Sequence, residues 1–337
     1  MALRSLSGVL AMVLAIGTLS GAGARAADLS LLNVSYDPTR ELYKDVNQAF
    51  AAQWKAKSGQ TVEIKTSHGG SGAQARAVMD GLQADVVTLG LAWDIDVLTQ
   101  RHLLAADWEG RLPNHSVPYT STVVFLVRHG NPKHLAGWTD LVRDGVEVIT
   151  PNPKTSSGGR WSYLAAYTWA LHQPGASEAS AESYLGKLYK HVPVLDTGAR
   201  GATNTFVQRG EGDVLLAWED EALLAAHDVG DGQFDVVYPA SSIKAEPPVA
   251  WVDSVTDKKR TGAVAQAYLR FLFNHQGQEL AAKHHYRPID PAVFAEHKAD
   301  FPAIKVYDVA SLGGWPAVQA KHFADGGVFD SIYSAGK

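Results

Sequence analysis

One grammar repeats along this chain and constrains its fold more than any other feature. A short apolar strand gives way to a turn rich in glycine and hydroxyl residues, and a stretch with helical spacing follows. Strand-like segments fall at 29–34, 61–66, 85–89, 146–150, 192–195 and 214–217, with helical stretches over 73–82 and 161–172, from 202, and over 219–226. Such alternation predicts an α/β fold with largely parallel sheets. In the first unit, Asp37-Pro38 reads as an N-cap with proline at the first helical position. Leu42, Val46, Phe50 and Trp54 follow at spacings of four and mark one apolar stripe on that helix. No segment repeats at a fixed period. Two apolar stretches without helical spacing, 120–127 and 248–255, read as crossings between two lobes. The expected division is a leader over 1–26, the first part of lobe 1 over 27–119, lobe 2 over 120–247, and a return to lobe 1 with C-terminal helices over 248–337. A chain of 337 residues that is 46% apolar can build cores of that size.

The first 26 residues carry the marks of a targeting segment. Arg4 gives a positive start, 9–16 is an unbroken apolar stretch, and Ala24-Arg25-Ala26 puts small residues at the two positions that determine cleavage. The apolar stretch is too short to span a bilayer, so the expectation is an exported, soluble protein with a cleavable signal peptide. The chain has no cysteine, which excludes disulfides, thiol catalysis, cysteine metal sites and attachment of lipid to a new N-terminal cysteine. With 30 basic against 35 acidic residues and no basic run, it is not built to neutralise a nucleic-acid backbone.

Three strand–turn–helix junctions gather glycine and hydroxyl residues at strand C-termini: 68–72, 156–159 and 197–201. Ligands of open α/β sheets bind at such ends. A helix start offers unpaired N–H groups and the positive end of a dipole, so each junction can hold an anion. Each alone also reads as an ordinary turn with a serine cap, but three in one chain point to an anion without identifying it.

Catalytic readings find little support. His68-Gly69-Gly70-Ser71-Gly72 resembles the oxyanion loop of esterases, yet no Gly-x-Ser-x-Gly elbow accompanies it. There is no Walker A sequence, and no Gly-x-Gly-x-x-Gly follows a strand. The 13 histidines are scattered, and the pair His284-His285 reads as surface or packing, so neither a metal nor a cofactor is expected.

The same segments carry a resemblance. Asn33-Val34-Ser35-Tyr36-Asp37-Pro38-Thr39-Arg40, Ser67-His68-Gly69-Gly70-Ser71-Gly72, Val148-Ile149-Thr150-Pro151-Asn152-Pro153-Lys154 and Asp196-Thr197-Gly198-Ala199-Arg200-Gly201 follow one another in order. Thr203-Asn204-Thr205-Phe206, Ala217-Trp218-Glu219, Tyr286-Arg287-Pro288 and His322-Phe323-Ala324 complete the set. Together they resemble the periplasmic sulfate-binding proteins, the solute receptors of sulfate/thiosulfate ABC importers, over essentially the whole chain after residue 26. The resemblance implies a two-lobed periplasmic binding protein, type II-like, with its ligand in the interlobe cleft and a membrane permease as partner, acting as a monomer.

The resemblance also implies ligand positions, residue by residue. Asp37 supplies a main-chain N–H, and Ser71 a hydroxyl in the first lobe. Ala199 supplies a main-chain donor and Trp218 an indole N–H. In the second lobe the family has serine, two glycines and alanine before Arg-Trp, whereas this chain reads Ser156-Ser157-Gly158-Gly159-Arg160-Trp161. An ungapped register selects Ser156, Ser157 and Gly158; a shifted one selects Ser157, Gly158 and Gly159. The ungapped register is preferred, because a main-chain donor tolerates a change of side chain. Taken singly, Trp218 reads as a core tryptophan and Ser71 as an N-cap. Arg160 and Arg200 are expected to pair with carboxylates, outside the site.

Such a donor set suits sulfate, which is fully ionised at neutral pH and only accepts hydrogen bonds. Phosphate keeps a proton that would go unpaired, provided that the Asp37 carboxylate points away. Thiosulfate is the expected second ligand. Alternatives are another tetrahedral oxyanion (phosphate, molybdate or tungstate), an organic ligand, or an exported ester hydrolase.

Overall fold

The computed structural model describes residues 28–229 and 232–335; the expected leader, 1–26, lies outside them. Two sheets organise the chain. The first has the order β10-β3-β1-β2, from β1 (Leu29–Tyr36), β2 (Val62–Gly69), β3 (Val86–Thr88) and β10 (Val249–Trp251). β1 runs parallel to both β2 and β3, and β10 is antiparallel to β3.

The second sheet contains β4 (Tyr119–Arg128), β5 (Val148–Pro151), β6 (Leu195–Asp196), β7 (Val214–Trp218), β8 (Phe234–Val237), β9 (Ser241–Ala245), β11 (Arg287–Pro288) and β12 (Lys305–Tyr307). Its main path is β12-β9-β4-β7-β5-β6. One edge of β4 pairs with β7 and the other with β9 and β8 in succession, while β11 pairs with the start of β4. Of the strands in 248–337, expected in the first lobe, β10 pairs there, whereas β11 and β12 pair with β4 and β9 in the larger sheet. These short pairings satisfy backbone groups that the edges would otherwise leave open.

Helices cover both faces of each sheet, as adjacent strand residues reveal. Val86 belongs to one core with Leu42, Tyr43, Val46 and Phe50, while its neighbour Val87 belongs to another with Ala75, Val78, Ile95 and Leu98. In the larger sheet, Phe125 belongs to one core with Trp138 and Leu164, and Val124 and Leu126 to another with Ala202 and Phe206. Strands buried on both faces are the parallel α/β pattern. The helix Arg40–Ser58 buries Leu42, Tyr43, Val46 and Phe50, with Trp54 half-buried at the edge of that stripe. It ends at Gly59, whose φ of 74° is a left-handed C-cap that glycine adopts without a Cβ penalty.

The chain passes between the sheets after β3, again across 246–248, and once more between β10 and β11. The stretch 120–127 lies within β4, and 248–255 holds β10 and the start of the helix Asp253–Lys259. Among the described residues no helix is long and apolar enough to cross a membrane.

Candidate functional site

Helices begin earlier than their apolar spacing predicts. The turns expected at 71–72, 157–159 and 199–201 are instead the first turns of the helices Ser71–Met79, Ser157–Leu171 and Ala199–Val207. Apolar periodicity starts only where a helix meets its core, so small residues in a first turn read as loop. None of the three has a side-chain cap. The first helical bonds of these turns are Gln74 N to Gly70 O, Arg160 N to Ser156 O and Ala202 N to Gly198 O. The N–H groups of 71–73, 157–159 and 199–201 therefore have no partner within their helices. A fourth start follows β1, where Asp37–Thr39 forms a 3-10 turn leading into the next helix.

These starts come from both sheets and close on one another. A Cβ on Gly70 would lie 2.6 Å from Thr155 O and 2.7 Å from Thr197 O. One on Gly198 would strike Asp37 Oδ2, and one on Gly158 would touch the Ala199 Cβ at 3.3 Å. Gly90, just past β3, lies against Ser157 in the same way. Polar bonds cross the same boundary. Trp161 Nε1 donates to Gly90 O at 2.8 Å, and the Arg200 guanidinium reaches Glu41 at 2.9 and 3.0 Å. The chain is thus in a closed form, with positive helix ends from both sides aimed into one space.

Each expected residue can be placed. Asp37 is buried, but as part of the 3-10 turn rather than as its cap; Arg40 Nη2 donates to its Oδ1 at 2.7 Å. Ser71 is fully buried, and its hydroxyl is already spent. It donates to Asp94 Oδ2 at 2.6 Å and accepts from Gly90 N at 2.9 Å. A hydroxyl has one proton, so in this arrangement the hydroxyl role expected of Ser71 competes with its bond to Asp94, and its main-chain N–H at the helix start has no partner within the helix. Ser156 sits at the N-cap of its helix without capping it, and its Oγ lies near the Gly158 Cα. Ser157 and Gly158 follow in the first turn. Gly159 turns inward, where a Cβ would meet Pro151 O at 2.5 Å. Ala199 opens its helix opposite Gly158.

Trp218 ends β7 at 1% exposure, with its ring 5.1 Å from that of Tyr36 and 6.5 Å from that of Trp161. Its indole N–H is buried and has no hydrogen-bond partner in the protein. A donor left unpaired in a protein interior costs about 1–3 kcal/mol, so an acceptor at this point is strongly favoured.

Most of the charges nearby are paired. Arg200 also binds Glu221 at 2.7 Å, Arg287 holds Glu219 at 2.6 and 2.7 Å, and Arg160 faces Asp94 at 3.8 Å. Burial would raise the Glu41 carboxyl, but hydrogen bonds and charge from Arg200 outweigh it and hold the group below its ordinary range. Burial raises Asp94 despite Arg160 and Ser71, and raises Asp220 far more despite hydrogen bonds such as that from Ser121 at 2.9 Å. Burial, then the Arg40 charge, pushes His68 down to about 4, so it is neutral. Among the described residues no three His, Asp or Glu gather as they would round a metal ion. The donors left at the helix starts are main-chain N–H groups and the Trp218 indole, with Arg160 Nη1, 3.8 Å from Asp94, also buried without a hydrogen-bond partner.

Sequence reasoning missed Gly90, Asp94 and Trp161. Gly90 stands outside any hydroxyl-rich turn, and the partners of Asp94 and Trp161 are 23 and 71 residues away. Only the adjacency of Trp161 to the Ser156 junction offered a signal.

Comparison with known proteins adds an independent line. A family model described as bacterial extracellular solute-binding protein matches residues 33–287. The chain is 54% identical over 315 residues to the sulfate-binding protein of Escherichia coli (strain K12), covering 93% of this chain and 96% of the relative. It is 51% identical over 326 residues to the thiosulfate-binding protein of Pseudomonas aeruginosa, covering 96% and 98%. Among solved structures, the sulfate-binding protein SubI from Mycobacterium tuberculosis H37Rv superposes with a TM-score of 0.80 at 34% identity, covering 87% of this chain and 98% of that one. A periplasmic thiamin binding protein, at 17% identity and a TM-score of 0.66, shares the fold.

Proposed function

Since this chain belongs to the family of bacterial extracellular solute-binding proteins, we propose that it is a periplasmic receptor that captures sulfate, and also thiosulfate, and delivers it to the membrane permease of an ABC importer. The relatives at 54% and 51% identity carry the names of those two ligands. The observation that carries the reading is the unpartnered, buried Trp218 indole N–H, set among helix starts whose first N–H groups have no partner within their helices.

Asp37, Ser71, Ser156, Ser157, Gly158, Ala199 and Trp218 are the proposed ligand positions. All but Ser156 and Trp218 act through the main chain, and Ser156 adds its hydroxyl. Sulfate brings two negative charges and no proton. Amide and indole N–H groups only donate, and the helix dipoles offset the charge without a salt bridge. A protonated oxyanion such as phosphate would need an acceptor; of the Asp37 carboxylate, Oδ1 is engaged by Arg40 and Oδ2 lies against Gly198. Its proton would go unpaired, which costs about 1–3 kcal/mol.

The receptor is exported through a signal peptide over 1–26 and works as a monomer, because both lobes must present themselves to the permease. It binds its ligand without transforming it: its relatives are named for binding, and the site assembles donors without a nucleophile and base.

The test is a tryptophan-fluorescence titration of stripped protein with sulfate, thiosulfate, phosphate and molybdate at about pH 6 and about pH 8. Saturable sulfate and thiosulfate binding, little changed by pH and with phosphate silent, is the expected result. Preference for phosphate or molybdate would overturn the ligand, and steady product release from an aryl sulfate would overturn the binding reading.

A further inference from the structure

Where the two sides of the cleft touch, one contact is built differently from the others. Gly70 and Gly198 approach main-chain carbonyls and the Asp37 carboxylate. Gly90 instead approaches the Ser157 side chain. A Cβ placed on Gly90 would overlap Ser157 Oγ and lie 2.5 Å from Ser157 Cβ. The hydroxyl could rotate away, but the Cβ is fixed to the backbone.

Gly90 cannot retreat. Its N–H is bound to Ser71 Oγ on the first side, and its carbonyl takes the Trp161 indole N–H from the second. Its φ is outside the left-handed region, so the local fold does not require glycine there. What requires it is the close approach. On the opposite side, Ser157 is buried and occupies the first position of its helix, so its side chain meets Gly90 while its main-chain N–H faces the anion space. Any change in the Gly90–Ser157 spacing therefore moves an anion donor directly.

We propose that Gly90 and Ser157 form the stop that sets the closed width of the cleft, and thereby the size of the tetrahedral dianion that the receptor retains. The proposal rests on the oxyanion reading above and adds to it a pair that determines specificity. Interiors are close-packed, so one methyl group at such a contact must hold the sides apart rather than be absorbed. A wider closed form loosens donors around a small anion more than around a large one.

The experiment compares wild type, Gly90→Ala and Gly90→Ala/Ser157→Gly with sulfate, thiosulfate and molybdate, the last two being larger than sulfate. In Gly90→Ala, sulfate affinity is expected to fall about tenfold or more and that of the larger anions about threefold or less. The double variant removes both overlapping atoms and is expected to return the ratio to within about twofold of wild type. Equal losses for all three anions, or no recovery in the double variant, would overturn the stop while leaving the oxyanion reading in place. Failure of wild type to bind any of the three would overturn that reading first.

If Gly90→Ala does not fold by circular dichroism, Ser157→Gly alone decides. Its cleft closes further, so the larger anions should lose affinity relative to sulfate, and unchanged ratios would overturn the proposal.

Discussion

The two sides of the cleft offer the same kind of helix start but very different side chains. On the side of the first sheet, the polar groups are already committed. Arg40 binds Asp37, and the Ser71 hydroxyl is consumed by Asp94 and Gly90. On the side of the second sheet, Ser156 does not cap its helix, and the Trp218 indole N–H has no protein partner. The first side therefore commits Asp37 and Ser71 to its own bonds, although Tyr36 Oη and His68 Nε2 are left without a partner there, whereas the second leaves the Trp218 indole N–H open. The difference separates two jobs. On the proposed reading, side-chain donors on the second side are expected to set much of the affinity, and the tied groups on the first side to hold a rigid wall for it to close against.

That division can be broken most easily at Trp218. Trp218→Phe keeps a ring against Tyr36 and removes one donor to a charged ligand, which is worth about 1.5–3 kcal/mol. Sulfate affinity should fall about tenfold to a hundredfold in a titration, with the thermal midpoint little changed; unchanged affinity would remove Trp218 from the site.

A matched pair of serines gives the next largest contrast. Ser156→Ala should weaken sulfate about tenfold with small effect on stability. Ser71→Ala should do the reverse, losing about 1–3 kcal/mol of stability by denaturant unfolding as Gly90 N and Asp94 lose their partner, and less than about threefold in affinity. Equal affinity losses for the two variants would erase the proposed difference between the sides.

The smallest effect comes from pH. Each side holds a neutral histidine: His68, half-buried near the end of β2, and the buried His322, which bonds the Tyr163 hydroxyl at 2.9 Å beneath the Ser157 helix. Burial, then the Lys321 charge, pushes His322 from 6.5 down to about 4. Between those values the unfolded chain binds protons that the folded chain does not, so stability should fall as pH drops from about 6.5 towards about 4. Thermal midpoints measured across that window should fall in wild type and fall less in His68→Gln or His322→Gln. A flat wild-type profile would mean that neither imidazole is held neutral by burial.

The alternation of strands and helices was legible in the sequence because it follows from hydrophobic spacing, a local property. The stripe Leu42, Val46, Phe50 and Trp54 led directly to the helix Arg40–Ser58. Helix starts were less legible. Ser157, Gly158 and Gly159 have weak helical propensity and sit before the first core contact, so they resemble a turn until the N-cap geometry is seen. The late strands β11 and β12 were also hidden, being two and three residues long and defined by the edges they complete rather than by their own pattern.

By itself, the sequence determined the layered α/β architecture and the three strand–turn–helix junctions and, by its likeness to sulfate receptors, singled out the residues proposed to line one site. These depend on the order of residue types along the chain and on motifs of a few neighbours. Tertiary structure alone decided that the Ser71 hydroxyl is spent on Asp94, that the Trp218 N–H is left without a partner, and that Gly90 meets Ser157. Each of these outcomes depends on which groups from distant segments reach hydrogen-bond or van der Waals distance. Hydrogen-bond capacity is finite and packing is dense, so the role of a polar side chain is settled by which partner occupies it first.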